Sequence, residues 1–459
     1  MTARLYSSLP VALQNAACSW YGWKERRIRF GPSFERLLAE LEESDRWDAG
    51  RIAAHQDTQI AELVKHAYDA VPFYRRRFDE CRVVPSDVRS RADLLRLPLL
   101  TKEHVRAHAG ELVARGARDL IERHTSGTTG TALRFYSSRE SVAFQWAVWW
   151  RHRRRFGLDR SHWHVNFTGK LVVPPEQERP PYWRWNRPLR QALVNMQHVT
   201  PAKVPAIVGF LGSGRFVYWS GYPSIVHALA VAAREAGPEL AMPPRVVTTG
   251  AEKLHAFQRR DIAAFTGATL TDQYGLSEGC GNASQCERLA YHEDFEFGVL
   301  ECIDPEPLEN GRVRGRIVCT GFACPEFPFI RYDTGDVGVW EPDGFRCECG
   351  RESRVLVEIE GRHEDYVVTP EGRRIMRFDY VFKDALNVKE AQVVQARPGA
   401  LVVRVVRRPG YAEVDERALA QAIARWISPR LELDFDYVDE IEREPNGKFR
   451  AVKSLLTRY

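Results

Sequence analysis

Hydrophobic and polar positions alternate with different periods along the chain, and each period predicts a different kind of element. About the first 100 residues read as helical, because apolar residues recur three and four positions apart between Ile60 and Ala67 until Pro72 interrupts the pattern. Further along, short apolar β-type runs such as 245–249 lie between helical stretches such as 224–236. This alternation predicts a large α/β domain with extended sheets flanked by helices.

The last part of the chain follows another pattern. Two β-type runs are joined across Pro398 and Gly399, an amphipathic helix comes next, and a further β-type run follows it. These four segments are 391–394, 401–406, 414–427 and 433–441, in that order. The change predicts two domains, a large one over residues 1–361 and a small, mobile α+β domain over residues 362–459.

Charge and composition exclude some classes of function. The net charge of +5, from 66 basic and 61 acidic residues, is too small to indicate nucleic-acid binding. No run approaches the roughly 18 apolar residues of a membrane span, and the first residues do not follow a signal-peptide pattern, so we expect a cytoplasmic protein. The arginine-rich run 151–155 is either a solvated helix face or a patch that binds polyphosphate or CoA.

A run of glycine and hydroxyl residues is the strongest single motif. Every residue from Thr125 to Thr131 is a glycine or carries a hydroxyl group. Such a segment lets the backbone approach a phosphate closely while N–H groups and hydroxyls donate to its oxygens. No Gly-Lys-Ser/Thr sequence ends the run, so it is not a Walker loop. The residues predicted to bind phosphate are Thr125, Ser126, Gly127, Thr128, Thr129 and Gly130.

Four more motifs follow this phosphate loop, and their order carries a resemblance. They are Gly250-Ala251-Glu252, Tyr274-Gly275-Leu276-Ser277-Glu278, Arg331-Tyr332-Asp333-Thr334-Gly335-Asp336 and Pro445-Asn446-Gly447-Lys448-Phe449-Arg450. Five motifs in this order, spread over nearly the whole chain, resemble the adenylate-forming superfamily of acyl-CoA synthetases, luciferases and peptide-synthetase adenylation domains. Two features resemble one branch of this superfamily, which contains phenylacetate–CoA ligases, deazaflavin-coenzyme adenylating enzymes and capsule-biosynthesis ligases. The segment 96–102 is similar to the entry segment of that branch, and the chain has no Pro-Lys pair after the phosphate loop.

The resemblance implies a reaction and a role for each motif. A substrate carboxylate would attack the α-phosphate of ATP, so that pyrophosphate leaves and an acyl-AMP forms. The phosphate loop would hold the β- and γ-phosphates, and Glu278 would bind magnesium through its carboxylate. Tyr274 would flank the adenine, the segment 250–252 would line the same pocket, and Asp336 would accept hydrogen bonds from the ribose hydroxyls.

The predicted catalytic residue is Lys448, because its ammonium group could reach the α-phosphate and the attacking carboxylate together. The chain contains only ten lysines, which makes a lysine inside this motif a stronger signal. Arg362 would add a contact to the ribose or a phosphate. The hinge of the family usually reads Gly-Arg-x-Asp-Asp, whereas Glu364 stands at the first Asp here; the small domain would rotate at this point between the two half-reactions.

Three cysteines and one histidine predict a zinc site. Cys347 and Cys349 lie one residue apart on a predicted turn, and Cys286 and His292 lie upstream. This donor set suits tetrahedral zinc, and four protein ligands leave no open position, so the site would be structural. Members of the branch often carry a comparable site. The alternative is buried free thiols beside an ordinary histidine, and Cys280 is either a substitute ligand or part of the active-site wall.

The substrate is predicted only by class. Residues 144–222 should supply the acyl pocket, and their aromatic side chains suit an aryl or arylalkyl acid, although the same side chains could simply pack in the core. The first hypothesis is transfer of the acyl group to a thiol, with CoA as co-substrate. The second is transfer to a carrier protein, an amine or a hydroxyl in a biosynthetic pathway, and the third is a zinc-stabilised binding protein without catalysis.

Overall fold

The computed structural model describes residues 3–124, 133–168, 170, 172–174, 176–195, 198–200, 202–237, 239–362, 367–370, 374–375, 382, 387–443 and 449–456. Three predicted features lie outside these residues: the phosphate loop 125–130, the hinge residue Glu364 and the catalytic residue Lys448. Their predicted roles therefore stay predictions.

The N-terminal part is helical, as its periodicity predicts. Pro72 ends one helical run and begins the next, at a first-turn position where its missing N–H is not needed. The helices are α1 (Ala3–Ser7), α2 (Val11–Arg29), α3 (Phe34–Ser44), α4 (Ala49–Ala70), α5 (Pro72–Glu80), α6 (Lys102–His108), α7 (Arg139–Arg155), α8 (Val204–Leu211), α9 (Pro223–Ala236), α10 (Ala256–Thr266) and α11 (Glu413–Trp426). Within the described part of the chain, no helix has the length and apolar character that crossing a membrane requires.

A 12-stranded sheet forms the centre of the large domain, in the order β11-β12-β13-β14-β10-β9-β8-β7-β6-β3-β5-β4. Its strands are β3 (His164–Thr168), β4 (Arg184–Asn186), β5 (Gln191–Asn195), β6 (Tyr218–Gly221), β7 (Val246–Gly250), β8 (Thr269–Gly275), β9 (Asn282–Gln285), β10 (Tyr291–Glu293), β11 (Gly298–Pro307), β12 (Val313–Gly321), β13 (Tyr332–Trp340) and β14 (Val355–Arg362). A separate hairpin, β1 (Ile121–His124) and β2 (Arg134–Ser137), flanks the phosphate loop. This architecture confirms the predicted α/β class.

Five neighbouring strands, β5, β3, β6, β7 and β8, run parallel, so their carboxyl ends meet at one edge. Both faces of this region are buried, as a parallel sheet requires. Trp219 and Val247 face a core built with α8 and α9, whereas Tyr218 and Val246 face a core built with α3 and α7. The helices therefore hold the carboxyl edge in place from both sides.

The structure at the end of α7 contradicts one of the two interpretations of the arginine-rich run 151–155. Arg151 is buried and forms ion pairs with Asp294 at 2.7 Å and with Glu296 at 2.5 Å. Arg154 lies on the outer side and pairs with Glu42 at 2.9 Å. A solvated face is therefore wrong for most of the run 151–155, because α7 packs against the sheet and turns its arginines inward.

The small domain contains a four-stranded sheet in the order β19-β18-β17-β20. Its strands are β17 (Val388–Arg397), β18 (Ala400–Arg407), β19 (Glu432–Tyr437) and β20 (Val452–Ser454), and a short pair, β15 (Val367–Val368) and β16 (Arg374–Ile375), precedes them. Val403 packs with Leu419 and Ile423 of α11. The predicted hairpin and helix are present, but the last predicted strand ends at Tyr437. The division between 361 and 362 stays a prediction, and β14 extends to Arg362.

Candidate active site and metal cluster

The segment 250–252 lies at the carboxyl edge of the parallel strands. Gly250 ends β7, where a Cβ atom would approach the Gln273 carbonyl oxygen to 3.0 Å. Ala251 has a φ of 67°, in the left-handed region, so the chain turns sharply off the sheet. In open α/β sheets, ligands bind in the crevice outside this edge. The turn brings Glu252 into that crevice region.

Tyr274 and Asp336 meet although they are 62 residues apart in sequence. Tyr274 lies near the end of β8, and its hydroxyl donates to Oδ2 of Asp336 at 2.8 Å. Burial, and then the Asp336 carboxylate, raises the pKa of Tyr274 well above its usual value, so the phenol remains a donor. The backbone of Asp336 is paired with Arg362 in the sheet, and the side chain of Arg362 lies outside the described structure. The structure thus brings together the two residues predicted to contact adenine and ribose.

Glu278 is buried in the turn after β8, and its Oε1 accepts a hydrogen bond from the Tyr332 hydroxyl at 2.9 Å. Burial, and then the Glu278 carboxylate, raises the pKa of Tyr332, which keeps this donor protonated. Gln145 of α7 donates to the Leu276 carbonyl oxygen at 3.1 Å and fixes the same turn. A carboxylate held by one phenol still has acceptor positions for a cation.

Glu252 joins the two domains. Its Oε2 accepts from the backbone N–H of Ser224 at 3.2 Å, and its Oε1 accepts from the backbone N–H of Phe449 at 2.8 Å. Burial raises the pKa of Glu252, and these hydrogen bonds oppose the shift. Phe449 directly follows Lys448 in the chain, and its described contact with Glu252 lies beside the carboxyl edge. The sequence predicted Glu252 only as a pocket residue, and no sequence pattern could reveal this contact between domains.

The three predicted cysteines and the histidine form one cluster. Their ligand atoms, from Cys286, His292, Cys347 and Cys349, all lie within 4.8 Å of one another. The Cys286 and Cys347 sulfurs are 3.8 Å apart, and the Cys349 sulfur is 3.3 Å from Nε2 of His292. Tetrahedral zinc with Zn–S bonds of about 2.3 Å would separate two sulfurs by about 3.8 Å. The donor set and its spacing therefore fit this metal.

Surrounding groups orient and charge the cluster. Nδ1 of His292 lies 3.3 Å from the Ser353 hydroxyl, which leaves Nε2 to face the sulfurs. Although burial raises the pKa of Cys349, the hydrogen bond and charge of His292 outweigh it and bring that pKa to about 6. This shift favours the Cys349 thiolate, which is the form that binds metals. Cys280 does not belong to the cluster: it is buried behind the Glu278 turn, next to Cys319.

Comparison with known proteins supports the same branch. The model of the CapK C-terminal domain matches residues 367–455. Protein CapK of Staphylococcus aureus is 21% identical over 97% of this chain and 98% of its own length. The phenylacetate–coenzyme A ligase of Thermus thermophilus is 29% identical over 69% of this chain and 72% of its own. The chain is therefore similar to CapK over nearly its whole length and to phenylacetate–CoA ligases over about 70% of it.

Solved structures of the adenylate-forming superfamily share this fold. A 2-hydroxyisobutyryl-CoA ligase in its postadenylation state, in complex with R3-HIB-AMP, has a TM-score of 0.69 at 17% identity, over 89% of this chain and 91% of the other. The same enzyme in its thioesterification state, with 2-HIB-AMP and CoA, has a TM-score of 0.55. The present structure thus superposes better on the postadenylation state.

The aromatic residues predicted to line an acyl pocket divide between two environments. Trp219 is fully buried, and Trp183 stacks on Phe210 with ring centroids 3.7 Å apart, so these tryptophans pack in the core. Trp146 and Trp150 instead line a cavity beside α7. The spacing of the tryptophans in the sequence cannot separate these two environments, because the environment of each residue depends on which side of α7 or of a strand it occupies.

Proposed function

We propose that this protein is an AMP-forming acid–thiol ligase, which converts a carboxylic acid and ATP into an acyl-AMP and then transfers the acyl group to CoA. The observation that carries the proposal is the hydrogen bond between Phe449 N–H and Glu252. It ties the neighbour of Lys448 to the edge at which Tyr274 and Asp336 meet. Positioned charge at this edge is what attack on a phosphate needs.

Each half of the reaction uses a different part of the chain. Asp336 and Tyr274 would hold the nucleoside, Glu278 would bind magnesium, and the phosphate loop would hold the β- and γ-phosphates. Lys448 would balance the charge that develops on the α-phosphate while pyrophosphate leaves. The small domain would then move so that the thiol can attack the acyl carbon and release AMP.

We further propose that the four-residue cluster holds a structural zinc ion. Cys286, His292, Cys347 and Cys349 would provide all four ligands, so the ion would contribute folding energy and take no part in the reaction.

For the acid substrate we propose only a class: an aryl or arylalkyl acid is the first to test, since aromatic side chains are frequent between 144 and 222.

The decisive experiment measures pyrophosphate release with ATP, magnesium and a panel of aryl, arylalkyl and short aliphatic acids. Lys448→Ala should lower the rate at least about 100-fold, the scale of losing one charge-stabilising group. Lys453→Ala, a matched change on β20 of the same domain, should leave it unchanged. Near-normal release by Lys448→Ala, or no release with any acid, would contradict the proposal.

The acyl acceptor is tested separately. With an acid that supports pyrophosphate release, addition of CoA should produce the acyl-CoA and AMP. If a carrier-protein thiol, an amine or a hydroxyl compound is acylated and CoA is not, the adenylation step stands and the CoA assignment is wrong.

A further inference from the structure

A cavity of about 350 Å³ lies between α2, α7 and the face of the sheet that β3 and β6 form. His164 and Tyr218, the first residues of those two strands, contribute to its wall. The cavity therefore reaches the amino edge of the parallel strands, whereas Gly250 and Tyr274 lie at the carboxyl edge. It is a separate site from the one assigned to ATP.

The wall of this cavity is strongly positive. Six arginines line it, against a single carboxylate, that of Asp159. Three of the arginines, Arg29, Arg154 and Arg160, form ion pairs with glutamates that are not part of the wall. For the other three, the described residues supply no ion pair. An excess of positive charge in a cavity attracts anionic ligands.

Arg153 is the most informative of these arginines, because it is half-buried and has no carboxylate partner among the described residues. Its one hydrogen bond there joins a guanidinium N–H to the Trp149 carbonyl oxygen of the preceding turn, at 3.2 Å. The guanidinium carbon lies 5.3 Å from the Trp150 ring centroid. Burial, and then the charge of Arg29, lowers the pKa of Arg153. An anion would relieve both effects, and a guanidinium has several donors to offer it.

Tyr218 supplies a second unused donor. The side chain is only 1% exposed and lines the cavity, and none of the described hydrogen bonds involves its hydroxyl. The His164 ring stacks on the Tyr218 ring with centroids 4.4 Å apart, and its Nδ1 is also without a partner. Burial, and then Arg153, lowers the pKa of His164 to about 3, so the ring is neutral at physiological pH. Buried polar groups are normally hydrogen-bonded, so the unpartnered Nδ1 of His164, beside the Tyr218 hydroxyl in one wall, indicates a ligand.

We propose that this cavity binds a phosphoryl group through Arg153 and Tyr218, while Trp146 and Trp150 pack against the organic part that carries it. The guanidinium and the phenol both donate to phosphate oxygens, and indole rings provide apolar walls. The phosphoryl group could belong to the acid substrate itself or to a separate small molecule. The proposal does not rest on the adenylation chemistry, because it uses none of the residues at the carboxyl edge.

Calorimetric titration with inorganic phosphate, at constant ionic strength and with AMP present to occupy the nucleotide site, tests the proposal directly. The unaltered protein should bind phosphate saturably. Arg153→Met should weaken binding at least about tenfold, because a hydrogen bond to a charged group is lost. Tyr218→Phe should weaken binding severalfold without lowering the melting temperature, which guards against a folding defect. Arg36→Met removes an exposed arginine of α3 and should change nothing.

Absence of saturable binding, or equal binding by all four proteins, would overturn the proposal. A second measurement separates the two sources of the phosphoryl group. If Arg153→Met raises the KM only for acids that carry a phosphate remote from the carboxyl group, the acid is the ligand. If phosphate binding is lost while the KM values of all acids are unchanged, the ligand is a separate phosphorylated molecule. Either outcome keeps the cavity as a phosphoryl site.

Discussion

A phenol that donates to a carboxylate determines which carboxylate oxygen is left for a ligand. The Tyr274 hydroxyl occupies Oδ2 of Asp336, so Oδ1 remains to accept from a ribose hydroxyl. The pair also holds the carboxylate in one orientation before ATP arrives, which reduces the entropy lost on binding. Under the proposed function, two residues from different motifs would therefore form a single nucleoside contact.

We expect Asp336→Ala to raise the KM for ATP at least about tenfold, because hydrogen bonds to a charged acceptor contribute roughly 1.5–3 kcal/mol each. Tyr274→Phe should raise it less, since the carboxylate stays and only its orientation is released. Pyrophosphate release at varied ATP concentration measures both. Asp343→Ala, at an exposed aspartate, is the control. An unchanged KM in Asp336→Ala would remove this residue from the ATP site.

At this scale the sequence predicts some contacts and misses others for a clear reason. Tyr274, Glu278 and Asp336 lie in local motifs, so their residue types and order are visible in the sequence. The contact between Glu252 and the Phe449 amide is not, because a backbone donor has no residue signature and its partner depends on how two domains meet. The donors of the arginine-lined cavity are also missed, because the sequence does not show which side chains share one cavity after folding.

Helix α7 carries ion pairs in two different environments, one buried and one at the surface. Arg151 turns into the core and pairs with Asp294 and Glu296, whereas Arg154, three residues later, pairs with Glu42 at the surface. Breaking a buried pair leaves unpaired charge in the interior, which costs far more than losing a surface pair.

Arg151→Met should therefore lower the free energy of unfolding by about 3–5 kcal/mol, because it removes the close ion pairs of two buried carboxylates. Arg154→Met, one turn along the same helix, should lower it by less than about 1 kcal/mol. Urea denaturation of both variants gives the comparison. Similar losses in the two variants would show that the interior network does not stabilise the fold.

The cluster of three cysteines and one histidine leads to a second prediction, about metal content and stability. Protein purified without added metal should contain one zinc per chain. Cys349→Ser should lose the metal and lower the melting temperature, because binding energy at a structural site is folding energy. Metal analysis and thermal unfolding are the measurements, with Cys81→Ser, at an exposed free cysteine, as control. A metal-free protein whose Cys349→Ser variant melts at the same temperature would make these ordinary thiols.

Helices and strands were predictable where their apolar period is regular, as in α9 and in the hairpin of β17 and β18. Burial of the α7 arginines was not, because a charged run has the same composition on a wet face and in a paired interior. The last predicted strand ends early, at Tyr437: Val438 still donates to the Val405 carbonyl oxygen, and Ile441 is buried outside any strand.

At the scale of the whole molecule, the proposed function divides the reaction between the two predicted domains. Tyr274, Asp336 and Glu278, which are proposed to contact the nucleoside and magnesium, belong to the large domain, and the predicted catalytic lysine belongs to the small one. ATP binding should therefore need only the large domain, whereas the chemistry needs both.

A chain shortened to residues 1–366 should bind ATP with magnesium, at somewhat lower affinity because the small domain no longer covers the site. It should form no detectable acyl-AMP, because Lys448 is missing. Calorimetric titration with ATP and a pyrophosphate-release assay test the two statements together. Adenylation at the full rate by the shortened chain would disprove this division of labour.

The cluster of three cysteines and one histidine also bears on the order in which the chain folds. Cys286 and Cys347 are 61 positions apart, and the four strands β10, β11, β12 and β13 lie between them. The proposed zinc ion, bound by both cysteines, would close this stretch into a ring and remove about 4 kcal/mol of loop-closure entropy from the unfolded ensemble, by analogy with a disulfide. The pairing of β10 with β14 would then be a short-range step in the closed chain. The register of these two strands would be set before the residues between them have folded.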